Sequence, residues 1–206
     1  MPKPKKEDIL REGLKAPPGY DNPRCQNCKL ATQSYSPFIA PVMQGPWVFV
    51  LPAPSLNELA LGQGYEWRIV EQIYRAAGLE DHEVTLATIT RCAPMVKKTA
   101  GKTARTMCQS FLFLSLNHLT EPVRIIAMGA DVAQSFVANY KSFDDLVGRQ
   151  FDTVHGDVLV TYNPREYFHE QRDYVLNVGV LDAIQRHVRG FVQSSDWHQF
   201  QTLTEV

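Results

Sequence analysis

Apolar residues come in two rhythms along this chain. Trp47-Val48-Phe49-Val50-Leu51 is a continuous apolar run closed by Pro52 and Pro54, which predicts a strand buried on both faces. Val84 to Thr90, rich in β-branched residues, predicts a second strand, and Val123 to Met128, closed by Gly129-Ala130, a third. Between them the spacing lengthens. Trp67 to Ala77 sets Ile69, Ile73, Ala76 and Ala77 at helical intervals and stops at Gly78, a residue suited to the position just past a helix end. Ala104 to His118 predicts a second helix carrying Phe111, Leu112, Leu114 and Leu116, and Asp131 to Asn139 predicts a third. Gln150 to Val154 and Asp157 to Tyr162 flank His155-Gly156 as paired strands, and Arg172 to Val192 predicts a long closing helix interrupted at Gly179. Strands alternating with helices predict one α/β domain over residues 25–192, three layers deep (α/β/α), with a mainly parallel central sheet. Residues 1–24 mix Lys, Pro and Gly and predict an arm with one short helix from Glu7 to Lys15, while Gln193 to Val206 reads as a polar tail holding Trp197 and Phe200.

Composition bounds what such a domain can do. With 206 residues and 44% hydrophobic content the chain can build one sizeable core. No apolar run is long enough to span a bilayer, so a soluble protein without a membrane partner is expected. A net charge of −1 gives no global electrostatic case for nucleic acid, but the charge is uneven. From Arg91 to Arg105 the chain holds Lys97, Lys98 and Lys102 and no acidic residue. By itself such a stretch is a solvated loop; held rigidly, it could follow a phosphate backbone.

The cysteines supply the rigid hold. There are four, Cys25 and Cys28 in a Cys-x-x-Cys turn, Cys92 in Cys92-Ala93-Pro94, and Cys108 in Thr106-Met107-Cys108. Free cysteines can serve as small buried hydrophobes, and four could also pair as two disulfides in any of three ways. The opening Met1-Pro2-Lys3-Pro4-Lys5-Lys6 has no apolar signal segment, so a reducing cytoplasm is expected and disulfides are disfavoured. The Cys-x-x-Cys pair with two further thiols is the donor set of a tetrahedral sulfur cage, which suits zinc or an iron–sulfur cluster. Spacing alone does not choose between them.

Around the cysteines the order of motifs resembles the iron–sulfur uracil-DNA glycosylases, families four and five of that superfamily. Family four has an early Cys-x-x-Cys-x-Leu, then a strand and a Gly-Glu-x-Pro-Gly loop, then Gly-Arg-Pro-Phe. A strand ending Asn-x-x-Lys-Cys-Arg-Pro follows, then a fourth cysteine, a Leu-Gly-Ala turn and a His-Pro pair. This chain has Cys25-Gln26-Asn27-Cys28-Lys29-Leu30, Leu51-Pro52-Ala53-Pro54-Ser55, Gly62-Gln63-Gly64-Tyr65 and Thr88-Ile89-Thr90-Arg91-Cys92-Ala93-Pro94. It continues with Cys108, Met128-Gly129-Ala130 and Tyr162-Asn163-Pro164. The resemblance runs from about Cys25 to the closing helix, and the cysteine frame is its most specific part. It implies a uracil-DNA glycosylase-like fold and a 4Fe–4S cluster held by Cys25, Cys28, Cys92 and Cys108 near a DNA-binding face, with zinc as the alternative.

The chemical positions depart from the family. A flipped base needs a stacking surface, hydrogen bonds to its edge, and a means of assisting the departing base. Tyr65, with Pro54 beside the pocket, falls where the family stacks a Phe. Thr88 replaces the uracil-reading Asn, and one hydroxyl does not reproduce an amide's paired donor and acceptor. Pro52 replaces the carboxylate of the first motif, although family five is less acidic there. Asn57 and Glu58 are the nearest amide and carboxylate, and Glu58 could act as a base only if its loop turns inward. Asn163 replaces the His, as in the mismatch-specific thymine/uracil branch, and can donate to a developing anion without giving up a proton. Arg165, Tyr167, Phe168 and His169 occupy the place of the minor-groove loop, Arg165 for a phosphate and Tyr167 or Phe168 as a wedge.

Two readings follow from the resemblance. One is a glycosylase of altered specificity acting on a modified or damaged base, with Asn163 and Glu58 as catalytic candidates. The other is a non-catalytic DNA-binding module acting beside a replication or repair protein. Both place Arg91, Lys97, Lys98, Lys102, Arg105, Arg165, Tyr167 and Phe168 against DNA. A zinc-stabilised protein-interaction domain is the third class, and its sign is a colourless zinc protein without salt-dependent DNA binding.

Overall fold

The computed structural model describes residues 28, 30, 41–55, 61–93, 101–119, 122–165 and 174–204, with the backbone alone at 65, 174–177 and 195–204. The expected arm at 1–24 and its helix from Glu7 to Lys15 lie outside the described residues. The elements in chain order are β1 (Trp47–Leu51), α1 (Tyr65–Ala76), a short 3-10 turn (Asp81–Glu83), β2 (Val84–Thr88), α2 (Lys102–Leu116) and β3 (Arg124–Met128). They continue with α3 (Ala130–Phe136), β4 (Gln150–Thr153), β5 (Gly156–Thr161) and α4 (Tyr174–Thr204).

The strands form one five-stranded sheet in the order β2-β1-β3-β5-β4. β2, β1, β3 and β5 are parallel, and β4 returns antiparallel to β5. The β1 ladder extends unequally: it reaches Leu51↔Thr88 towards β2, but only Val50↔Ala127 towards β3. β2 lies at one edge, where Val42 covers it by exchanging two 2.9 Å backbone bonds with Leu86.

The unbroken apolar run of β1 is explained by burial on both faces, as a parallel sheet requires. Val48 and Val50 join Ile125, Ala127, Val158 and Val160 under Leu112 and Leu116 of α2 and Val132 and Ala133 of α3. Trp47, Phe49 and Leu51 join Ile126, Met128 and Leu159 on the opposite face, beneath Val70 and Ile73 of α1 and Ile184 and Val188 of α4. Each such Val, Leu, Ile, Phe or Met side chain contributes about 1.5–3 kcal/mol by leaving water. The expected α/β architecture with a mostly parallel sheet between helices is therefore present.

Several boundaries differ from expectation. The closing helix runs without a break through Gly179 to Thr204, so most of the segment read as a polar tail is its continuation. Ile184, Val188, Phe191 and Val192 anchor it against the sheet and α1, which outweighs the roughly 1 kcal/mol helix penalty of one exposed glycine. α3 stops at Phe136 rather than Asn139, which adopts a left-handed φ of 60°. α1 starts at Tyr65, before the first apolar residue of its periodic pattern. Among the described residues no helix is long and apolar enough to cross a membrane.

Candidate functional site

Because β1, β2, β3 and β5 run parallel, their carboxyl ends share one edge of the sheet, where open α/β folds form ligand crevices. The segments leaving those strands are stitched to one another. After β1, the Pro52 carbonyl accepts the backbone N–H of Thr90 at 3.1 Å and its hydroxyl at 3.2 Å. After β3, Gly129 donates its N–H to the Thr161 carbonyl at 2.8 Å. Gly129 has φ +99°, and a Cβ there would sit 2.9 Å from Cβ of Asn163. Only glycine meets both demands without strain. The Asn163 side chain thus rests on the turn between β3 and α3.

A second tie joins the segments after β1 and β5 to α1. Arg165 Nε donates to Glu66 Oε1 at 2.8 Å, and its Nη2 donates to the Ala53 carbonyl at 3.1 Å. Ser55 donates its hydroxyl to the other Glu66 oxygen. The Glu66 and Arg165 side chains are 16% and 23% exposed, so the pair is shielded from most of the solvent. Burial pushes the Glu66 carboxyl up, but hydrogen bonds from Ser55 and from its own backbone N–H, together with the Arg165 charge, hold it below its ordinary value. It is a fixed carboxylate. Sequence reasoning missed it; a Glu in the first turn of a helix was the visible signal, but its partner lies 99 residues away.

Asn163 is half-buried, and its Oδ1 accepts the backbone N–H of Arg165 at 3.0 Å. That leaves its Nδ2 as a donor without a hydrogen bond among the described residues. Pro52 and Pro54 are buried beside this edge. Tyr65 opens α1 next to Glu66, but its side chain lies outside the description, as do Asn57, Glu58, Tyr167, Phe168 and His169 altogether. Thr88 does not match its expected part in reading a base. It is fully buried and gives its hydroxyl proton to the Thr90 carbonyl at 2.7 Å, closing its own turn.

The expected phosphate contacts need larger corrections. Arg91 is 1% exposed, and its Nη2 donates to the Phe111 carbonyl at 3.4 Å and to Ser115 Oγ at 3.0 Å. Such a guanidinium belongs to the interior and does not meet a nucleic-acid backbone. Arg105 lies 2.6 Å from Asp131, an acidic partner brought by α3 that the linear stretch from 91 to 105 does not contain. Arg165 is likewise paired, to Glu66. Lys102 alone remains exposed among the described candidates, at the first position of α2. Lys97 and Lys98 lie outside the described residues.

The cysteines are partly gathered. Cys28, Cys92 and Cys108 are half-buried and in no disulfide. Cys108 Sγ accepts the backbone N–H of Arg91 at 3.3 Å, which sets it beside the loop that carries Cys92. Arg91 then pins that loop to α2 through Phe111 and Ser115. Unbridged thiols, one already receiving an N–H, suit a thiolate-bound metal, since donors to sulfur orient and stabilise such ligands. To that extent the donor set fits. Among the described residues, no three His, Cys, Asp or Glu side chains come together as a metal-binding group, and Cys25 lies outside them.

Close to the carboxyl end of β5, His187 of α4 shares a 3.1 Å hydrogen bond with Thr161 and stacks near Tyr162. Burial, then the Arg186 charge, lowers its basicity. No protein-family model matches the chain, and no curated protein matches it in sequence.

Proposed function

We propose that this protein is a DNA-binding iron–sulfur protein of the uracil-DNA glycosylase type, which hydrolyses the N-glycosidic bond of an extruded, modified base. One observation carries the reading. The segments that bear the family resemblance, far apart in sequence, meet at one sheet edge through Arg165 to Glu66, Arg165 to Ala53 and Asn163 on Gly129. In the reaction, water forms the new bond to the sugar carbon while the bond to the base breaks. The bonding pair leaves with the base, and the water's proton ends on the base nitrogen. Asn163 Nδ2 donates to the acceptor atom on which negative charge develops. One preorganised donor of this kind is worth on the order of 10²–10³ in rate. Cys25, Cys28, Cys92 and Cys108 would hold the cluster, whose contribution is structural: it ties the chain around Cys25 and the loop after β2 to α2.

Glycosylase assays on duplexes containing uracil, hypoxanthine, xanthine or hydroxymethylated bases test this. Turnover on at least one base, reduced 10²-fold or more by Asn163→Ala, is expected. DNA binding without turnover on any of them would instead support the non-catalytic module. That second reading is favoured by the sealed hydroxyl of Thr88, which leaves the site without the edge-reading group expected there.

A further inference from the structure

We infer that Glu66 and Arg165 form a positioning latch that fixes Asn163 with its amide nitrogen outward, so that the site offers donors and no acceptor at this point. The inference rests on the glycosylase reading for its catalytic meaning, but the latch itself is geometric. Asn163-Pro164-Arg165 leaves the end of β5 as a short turn. Pro164 fixes one backbone angle, and the bond from Arg165 N–H to Asn163 Oδ1 is the side-chain-closed turn that Asn favours. Such a turn is weak alone. What joins it to the body is the Arg165 guanidinium, which reaches α1 through Glu66 and the segment after β1 through the Ala53 carbonyl. Ser55 holds Glu66 from the same segment, so three chain segments converge on two side chains.

The orientation has a chemical consequence. Turning the amide over would bring its NH₂ against the N–H of Arg165, donor to donor, so the closed turn selects the arrangement with Oδ1 inward. Asn163 then recognises an acceptor on its ligand and rejects an exocyclic amino group at the same place. Gly129 adds to this by supporting the Asn163 side chain from below. The Arg165 guanidinium, already engaged twice, is a positioning group here and not a phosphate ligand.

The test uses the full chain with Glu66→Gln, which keeps shape and removes charge, and Arg165→Met, which removes the same contacts from the other side. Amide hydrogen exchange followed by NMR reports the turn directly. The backbone N–H of residue 165 should exchange about tenfold faster in both variants, the equivalent of losing roughly 1.4 kcal/mol of local protection, while amides within β1 and β3 keep wild-type protection. On an active substrate duplex, Glu66→Gln should lower the single-turnover rate about tenfold and leave the duplex Kd within about twofold, a split that general loss of fold would not give. Wild-type exchange at Arg165 in both variants overturns the latch. A wild-type protein with no turnover on any base overturns the glycosylase reading instead, and the exchange measurement still decides the latch.

Discussion

The two arginines at the mouth of the sheet do opposite jobs. Arg165 is held by a carboxylate and a carbonyl in partial contact with water, whereas Arg91 is enclosed and donates to a carbonyl and a hydroxyl of α2. The carboxyl edge of the sheet is thus tied by a charged side-chain pair, and the cysteine region by a backbone N–H to sulfur and an interior guanidinium. The Arg165 pair keeps some contact with solvent while it joins three segments; Arg91 is sealed inside a single packing arrangement. The difference teaches that Cys92 is tied to the core through the neighbouring Arg91, while the segments after β1 and β5 are latched to α1 by one ion pair.

The largest effect should come from the sulfur side. Cys108→Ala in the purified protein should abolish bound iron and the broad visible absorption of a thiolate-bound cluster, read by metal analysis and spectroscopy. An unchanged spectrum would detach this region from any metal. Next, Arg91→Ala removes the largest fully buried side chain among the described residues. It should destabilise the protein by about 3–5 kcal/mol in urea unfolding, in the range of large core truncations. A loss below about 1 kcal/mol would give the buried Arg91 no more weight than a solvent-exposed ion pair.

A smaller effect is expected at Gly129→Ala, about 1–3 kcal/mol, because a side chain must adopt a positive φ and displace Asn163. Turnover should fall with it, and retention of both would count against a role for Asn163 in the reaction. The smallest effect concerns pH. Burial lowers the basicity of His187, and of His155, which stacks on Phe113. Their folded-state values lie below the ordinary 6.5, so between the two the unfolded chain binds more protons. Stability is therefore fully present above about pH 6.5 and declines as pH falls through the folded values. The urea midpoint should drop between pH 7.5 and pH 5.5, and His187→Gln should flatten that slope.

Much of this was legible in the chain. Trp47–Leu51 read directly as a strand because every position is buried, so apolarity and element coincide. α4 outruns its local sequence signal because Gly179 weakens helix propensity, while the packing that overrides it comes from residues distant in sequence. The turn residues Gly129 and Asn163 were recognisable as motifs, but not their contact. Charge was the least readable quantity. Arg105 and Arg165 looked available in a linear reading, because Asp131 and Glu66 reach them only after folding. Arg91 carried no mark of burial at all, since an arginine before a cysteine is ordinary on any surface loop.

Pro52 stands where a carboxylate was sought, and its real contribution is mechanical. It has no amide hydrogen, so β1 cannot extend its rungs to β3, yet its carbonyl still holds Thr90 on the β2 side. The sheet consequently unzips on one side of β1 while staying fastened on the other. Restoring an N–H at residue 52 would supply the donor for one further rung and let the seam between β1 and β3 close by another residue.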